Sequence, residues 1–293
     1  MASSLDVNNA RFNAEAAEWD NNVKHVESTQ KALDAISRHI PAFADGNAKG
    51  KLDESSSATC SHHVSPQDTL VPKSHPPPPA LTWPGLQTDL DVLEIGCGTG
   101  LLSFLLAPHV RTLIGVDTAS GMLSGFDAKL AALPDRAAAN LTSVNVLLQD
   151  PDDAALQKAA ADLDSRIAGS TAASRPRRFD LIVSHLTLHH IPSMPEIFGT
   201  LAACLKPGGR VALTDYEDYG DEAIAFHPVA KREGVERHGI RRAEVVGAMR
   251  GAGLVDVGVE EAFVLRKEVE AEGGKPAREM DFPFLIMLGK KKE

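Results

Sequence analysis

The apolar residues of this chain fall into short blocks whose spacing switches between the strand period and the helix period. Between Asp91 and Asp117 the run DVLEI is followed by GCGTG, then by LLSFLL and by RTLIGVD. Val92, Leu93 and Ile95 make a block too short for a free helix and right for a strand covered on both faces. The same reading places strands at Val144 to Leu148, Phe179 to Ser184, Val211 to Thr214, Leu254 to Val269 and Phe282 to Lys290. Helical spacing joins Val26, Leu33, Ile36 and Ile40 and stops at Pro41, which helices rarely pass through. It returns at Ala119 to Leu133, at Ile197, Leu201, Cys204 and Leu205, and at Val245, Val246 and Met249 within Arg242 to Gly251.

Polar stretches interrupt this pattern and suggest the organisation of the chain. Residues 1–44 read as an N-terminal helical segment, and 45–88 as a flexible insertion rich in Ser, Lys, Asp, His and Pro, with SSS and PPPP runs. Such a stretch buries too little apolar area to offset its ordering entropy. Residues 89–293 then form one domain with a second insertion near 151–178, a polar, alanine-rich helix candidate followed by a loop whose Arg175, Arg177 and Arg178 read as a solvated surface group.

The turn after the first strand carries the chemistry. Gly96, Gly98 and Gly100 allow unusual backbone angles and close approach of a ligand to the main chain. Asp117, ending the second strand, can accept two hydrogen bonds from a ribose diol. A dinucleotide fingerprint wants glycine or alanine at position 101, and this chain has Leu101. Glu94, before the first glycine, would repel a pyrophosphate but receive the ammonium of an amino acid. Glu94-x-Gly96-x-Gly98-x-Gly100 resembles the first motif of the class I S-adenosylmethionine-dependent methyltransferases.

That resemblance extends to LKPGGR before an apolar strand, an architectural match, and to Phe12, Ala16, Trp19 and Asp20. The last four are similar to an F-x-x-x-A-x-x-W/Y-D element that helps cover the cofactor; Trp19 is either that cover or an ordinary packing residue. The fold it implies is a seven-stranded Rossmann-like α/β sheet of order 3-2-1-4-5-7-6, the last strand antiparallel, with helices on both faces. It implies that S-adenosylmethionine is held by Glu94, Gly96, Cys97, Gly98 and Gly100 at the methionine part, Asp117 and Thr118 at the ribose, and Met122 beside the adenine. Leu123 shares the place beside the adenine as an alternative to Met122, and either residue reads equally as core. Asp150, at the rim where open sheets bind ligands, is placed for the adenine amino group or for capping the next helix. Ser184 closes the list of expected cofactor residues.

Phe179 to Ser184 delivers His185-Leu-Thr-Leu-His189-His190-Ile191 to the same rim, a segment similar to enzymes of ubiquinone and menaquinone methylation. His189 or His190 is the candidate general base, against the ordinary reading of histidines as structural. A metal site is not expected here, because no carboxylate partner lies nearby in sequence, nor at Cys60, His62 and His63, where no second cluster completes four ligands. Trp19, Tyr216, His227 and His238 are the candidate substrate-side residues. The resemblance implies a small-molecule acceptor.

Composition narrows the alternatives. A formal charge of −10 argues against a general binder of phosphate backbones. Cys60, Cys97 and Cys204 are too scattered for a disulfide framework, which fits a reducing, cytoplasmic compartment, and no stretch reads as a secretory signal or a membrane span. The alternatives left open are a nicotinamide-dependent oxidoreductase and a catalytically silent cofactor-binding regulator.

Overall fold

The computed structural model describes residues 3–40, 89–135, 139–168 and 176–293. The expected insertion 45–88, the Cys60, His62 and His63 group, and Arg175 lie outside the described residues.

Seven strands form one sheet: β1 (Asp91–Ile95), β2 (Thr112–Asp117), β3 (Leu141–Asn145), β4 (Phe179–His185), β5 (Leu205–Tyr216), β6 (Leu254–Val269) and β7 (Arg278–Lys291). Their order is β3-β2-β1-β4-β5-β7-β6, as expected. The first five strands pair in parallel, and β7 runs antiparallel to both β5 and β6. Ile95 sits beside Val116 and Ser184, so the carboxyl ends of β1, β2 and β4 share one rim.

Period-two alternation divides the side chains between two cores. Leu93, Ile95, Ile114, Ile182, Val211 and Leu213 face one way. They meet α5 (Ala154–Ala168), α6 (Met194–Cys204) and α7 (Arg242–Gly251). Val92, Leu113, Leu181, Val183 and Ala212 face the other way. There they meet α2 (Val23–His39), α3 (Leu101–Leu106) and α4 (Ser120–Ala131). Both faces of the central strands are covered, which is why they read as nearly continuous apolar runs.

Three expectations change. The third strand starts at Leu141 rather than Val144, because buried Leu141 pairs with Leu113 while Leu147 lies exposed beyond the strand. The segment near 151–178 holds α5, whose Leu156, Ala160 and Leu163 are core residues, so this part of it belongs to the sheet's covering layer. Arg177 is not a solvated loop residue, since its guanidinium meets Asp91 at 2.6 Å and also pairs with Asp164. Asp91 is buried at the start of β1 and meets Lys206, Arg111 and Thr112 as well. Burial alone would raise its carboxyl, but Lys206, Thr112 and Arg177 outweigh that and hold it at about 2.

Ahead of α2 lie α1 (Ser4–Glu15) and a 3-10 turn over Ala16–Asn21. Ser3 and Asp6 cap α1 reciprocally, each side chain accepting from the other's backbone N–H. Gly100 begins α3 at φ +85°, and a Cβ there would stand 2.6 Å from the Phe126 ring and 2.9 Å from Phe104. Gly100→Ala combines left-handed strain with overpacking, and an expected loss of about 2–4 kcal/mol follows. Thermal denaturation should show it as a fall of roughly 3–7 °C in the midpoint; a shift under about 1 °C would mean that the loop relaxes freely.

Candidate cofactor and acceptor site

The glycine turn is held down by the neighbouring strand. Gly96 and Cys97 donate their N–H groups to the Val116 carbonyl at 2.8 and 3.1 Å, and Gly100 donates back to Cys97 at 2.8 Å. Gly96, Gly98 and Gly100 all have positive φ, at +67°, +53° and +85°. At Gly96 an added Cβ would collide with the Thr187 side chain, so the segment after β4 presses on the turn. Gly98 has no atom within 4 Å of an added Cβ, leaving the crest of the turn open. Cys97 lies buried underneath, with its sulfur where a side chain at Gly115 would otherwise sit. Leu101, which argued against a dinucleotide, opens α3, a helix of six residues.

Asp117 organises this turn. One carboxylate oxygen accepts from the Gly98 N–H and the other from the Ala119 N–H, both at 2.8 Å. A carboxylate offers about four acceptor positions, so two remain for a ligand. Burial raises the Asp117 carboxyl above its ordinary range, while the N–H groups of Ala119, Gly98 and Thr118 pull it back. Glu94 is only 2% exposed and accepts from the Ser103 hydroxyl. Burial, with the Asp117 charge adding to it and Ser103 opposing, pushes Glu94 up to about 8. An arriving cation would ionise such a carboxyl.

The N-terminal segment closes over these loops. Asn9 accepts from the Thr118 hydroxyl at 2.7 Å, and Asn13 accepts from the Gly121 N–H at 2.6 Å. Asp20 accepts from Thr99 of the glycine turn and pairs with Lys129 of α4 at 2.7 Å. Phe12 meets Trp19 edge-on at 5.7 Å and His190 at 5.2 Å, and Trp19 lies against the His25 ring at 3.9 Å. One short segment therefore spans both the glycine turn and the histidines after β4.

Other expected cofactor residues have more local roles. The Ser184 hydroxyl is buried and donates to the Ile95 carbonyl at 2.8 Å, stitching β4 to β1. Asp150 is exposed, and its carboxylate accepts from the Asp152 N–H at 2.8 Å. Asp153, accepting from Ala155 and Leu156, takes the capping position of α5. Met122 is buried in the first turn of α4. Thr118 serves the lid contact just described.

The histidines divide into satisfied and unsatisfied. His185 has both ring nitrogens engaged, with Thr214 at 2.9 Å and Ser28 at 3.1 Å, and burial lowers it to about 4. His189 is buried with Nδ1 on both oxygens of Asp215, at 2.9 and 3.0 Å, and Asp215 also accepts its backbone N–H. With the proton held on Nδ1, the lone pair lies on Nε2, a buried atom without a partner. His190 Nδ1 and His238 Nδ1 are likewise buried and unpaired. Burial pushes His190 far below the ordinary range, with His189 and His227 adding to the effect. Tyr216 is fully buried, stacked on Phe226 at 4.1 Å, and its hydroxyl reaches His227 Nδ1 at 3.3 Å. Burial and nearby Asp215 raise that phenol, so it acts as a neutral wall residue. His238 and Trp19 are half-buried.

Asp215 is the residue that sequence reasoning passed over. It directly follows Thr214, the last residue of β5 paired in parallel, so the strand-end rule pointed to it. Arg237 carried no such signal; its guanidinium donates to the carbonyls of Leu188, Ile191 and Pro192 and pins the turn bearing His189 and His190.

A sequence profile for a family described as a methyltransferase domain matches residues 69–257, more than half of the chain. The chain belongs to this methyltransferase family. Its sheet order is the class I order, and S-adenosylmethionine is the methyl donor of that class. The nicotinamide-dependent alternative is thereby replaced. An uncharacterized methyltransferase of Schizosaccharomyces pombe is 25% identical over 231 residues, covering 69% of this chain and 72% of that protein. A phosphoethanolamine N-methyltransferase of Triticum aestivum is 28% identical over 201 residues, covering 65% of this chain but 34% of that protein. In fold, the chain is similar to the solved structure of a candidate methyltransferase from Bacillus halodurans, with a TM-score of 0.50 and 15% identity over 73% of this chain and 97% of that one. No helix among the described residues is long and apolar enough to cross a membrane.

Proposed function

We propose that this methyltransferase acts on a small, partly apolar metabolite held between the glycine turn and the histidines after β4. The observation that carries this reading is the lid: the segment whose Asn9, Asn13 and Asp20 bind the cofactor loops also sets Phe12 against His190. An acceptor covered in this way has little room for a polymer chain. The name of the wheat relative, a phosphoethanolamine N-methyltransferase, points to the same size class. The free, buried Cys97 and Cys204 are in keeping with a reducing, cytoplasmic setting.

The residues present fit the cofactor. The open crest at Gly98 admits its methionine part, the spare acceptor positions of Asp117 suit its ribose diol, and Glu94 suits its ammonium. Met122, buried at the start of α4, would pack beside the adenine, and exposed Asp150 would offer an acceptor at its outer edge. S-adenosylmethionine supplies an electrophilic methyl group; the chain aligns an acceptor atom with it and excludes water. An acceptor atom that carries a proton gives it up on the side of His189, whose Nδ1 is fixed by Asp215. His190 lines the same space from under Phe12.

Isothermal calorimetry with S-adenosylmethionine tests the cofactor half of this reading, and a metabolite screen with labelled cofactor tests the acceptor half. Transfer of label to RNA or protein, and to no metabolite fraction, would defeat the small-molecule assignment. The Glu94 carboxyl adds a sharper expectation. Held at about 8 in the free protein, it is mostly protonated at pH 6.5, and an ammonium ligand favours the ionised form. Binding at pH 6.5 is therefore expected to release about one proton, and affinity to rise with pH until the ligand's own amino group titrates near 8. Calorimetry in buffers of differing ionisation heat measures this release, which Glu94→Gln should abolish.

A further inference from the structure

We propose that His189, His190 and His227 form a mononuclear site for an imidazole-preferring divalent cation of the zinc type, with one coordination position left open. One donor nitrogen from each of the three rings lies within 4.8 Å of the other two. Two atoms of the group, His189 Nε2 and His190 Nδ1, are buried without any hydrogen-bond partner. Buried polar atoms are nearly always paired, and two unpaired ones on adjoining rings whose centroids stand 4.0 Å apart call for an occupant. A general base needs one lone pair. This cluster offers more than proton transfer would use.

The surrounding shell matches what metal-binding histidines require. A ligating imidazole donates its other N–H to a carboxylate or carbonyl, which fixes the ring and its tautomer. His189 does so to Asp215 through Nδ1. His227 Nδ1 rests on the Tyr216 hydroxyl, which itself reaches the Arg237 carbonyl at 3.4 Å. The sequence argued against a metal because no carboxylate was near; the fold brings Asp215 in from the next strand. Nitrogens around a tetrahedral zinc stand about 3.3 Å apart. Closing the cluster thus takes ring movements of roughly 1 Å, within ordinary side-chain adjustment. Three histidines and no fourth protein ligand among the described residues is the donor count of catalytic rather than structural zinc, with the last position left to water or an acceptor oxygen or sulfur.

The inference rests on the histidine geometry and not on the cofactor assignment, so it is tested without S-adenosylmethionine. The full chain, stripped with a chelator and dialysed, is titrated with cobalt(II) alone and then with zinc(II) alone. The expected result is one equivalent of cobalt with the intense visible absorption of tetrahedral coordination, displaced by zinc. His190→Gln and His227→Gln should each weaken binding by about 100-fold and Asp215→Asn by about 10-fold, with circular dichroism unchanged. His62→Ala/His63→Ala should retain the equivalent. No saturable cobalt binding below about 1 mM, a binding constant far weaker than protein zinc sites show, overturns the proposal. So does binding that survives His190→Gln and His227→Gln in folded protein, or that disappears in His62→Ala/His63→Ala.

Discussion

Asp117→Ala is expected to weaken S-adenosylmethionine binding by about 100- to 1,000-fold, from the loss of two charge-assisted hydrogen bonds of roughly 1.5–2 kcal/mol each. The carboxylate has two tasks at once. It would accept the ribose hydroxyls, and it already fixes the Gly98 and Ala119 N–H groups at 2.8 Å on either side of the ligand space. Removing it leaves the glycine turn with its backbone bonds to Val116 but without the anchor at its open crest. Asp117→Asn should fall between the two, because the amide keeps one acceptor oxygen and turns the other position into a donor. Asp150→Ala provides the contrast. An exposed side chain whose one hydrogen bond is to a local N–H should cost less than about fivefold, since solvent screens and replaces its contacts. Calorimetry on the three variants decides the matter. Equal affinity for wild type and Asp117→Ala would remove the ribose assignment, and a large loss at Asp150 would make it a principal anchor of the adenine rather than a peripheral one.

The parts of this site that were legible in the sequence are those set by local chain geometry. A glycine triplet between two apolar blocks forces a tight turn, and Asp117 at the end of a strand has to emerge at the rim, so both could be placed without coordinates. The order of the strands came from motif resemblance, and the register of Ile95 with Val116 and Ser184 then followed. What stayed hidden depends on contacts across distant segments. Ser184 looks like a rim residue but spends its hydroxyl on Ile95. Arg177 sits in a loop composition, yet it is drawn in by Asp91 and Asp164 from two other elements. Likewise Asp215 and His189 are far apart along the chain and meet only because β4 and β5 are neighbours.

His189→Ala is expected to lower turnover by about 100- to 10,000-fold once an acceptor is in hand, the usual range for losing a proton-accepting side chain. Cofactor affinity should stay within about threefold, because His189 is tied to Asp215 and not to the glycine turn. Asp215→Asn should cost roughly 10- to 100-fold through the orientation of the imidazole alone. If both variants turned over at wild-type rate, the methyl acceptor would need no help from this cluster, as a thioether or tertiary amine would not. The single Nε2 lone pair of His189 can serve only one partner at a time, and a chelator shows which. Turnover that survives chelation means that the lone pair takes the acceptor's proton directly. Turnover that is lost and then restored by zinc means that it holds the cation, with the acceptor activated by coordination. In either case, Phe12 packs edge-on against both Trp19 and His190, so Phe12→Ala is expected to lower turnover along with the histidine variants.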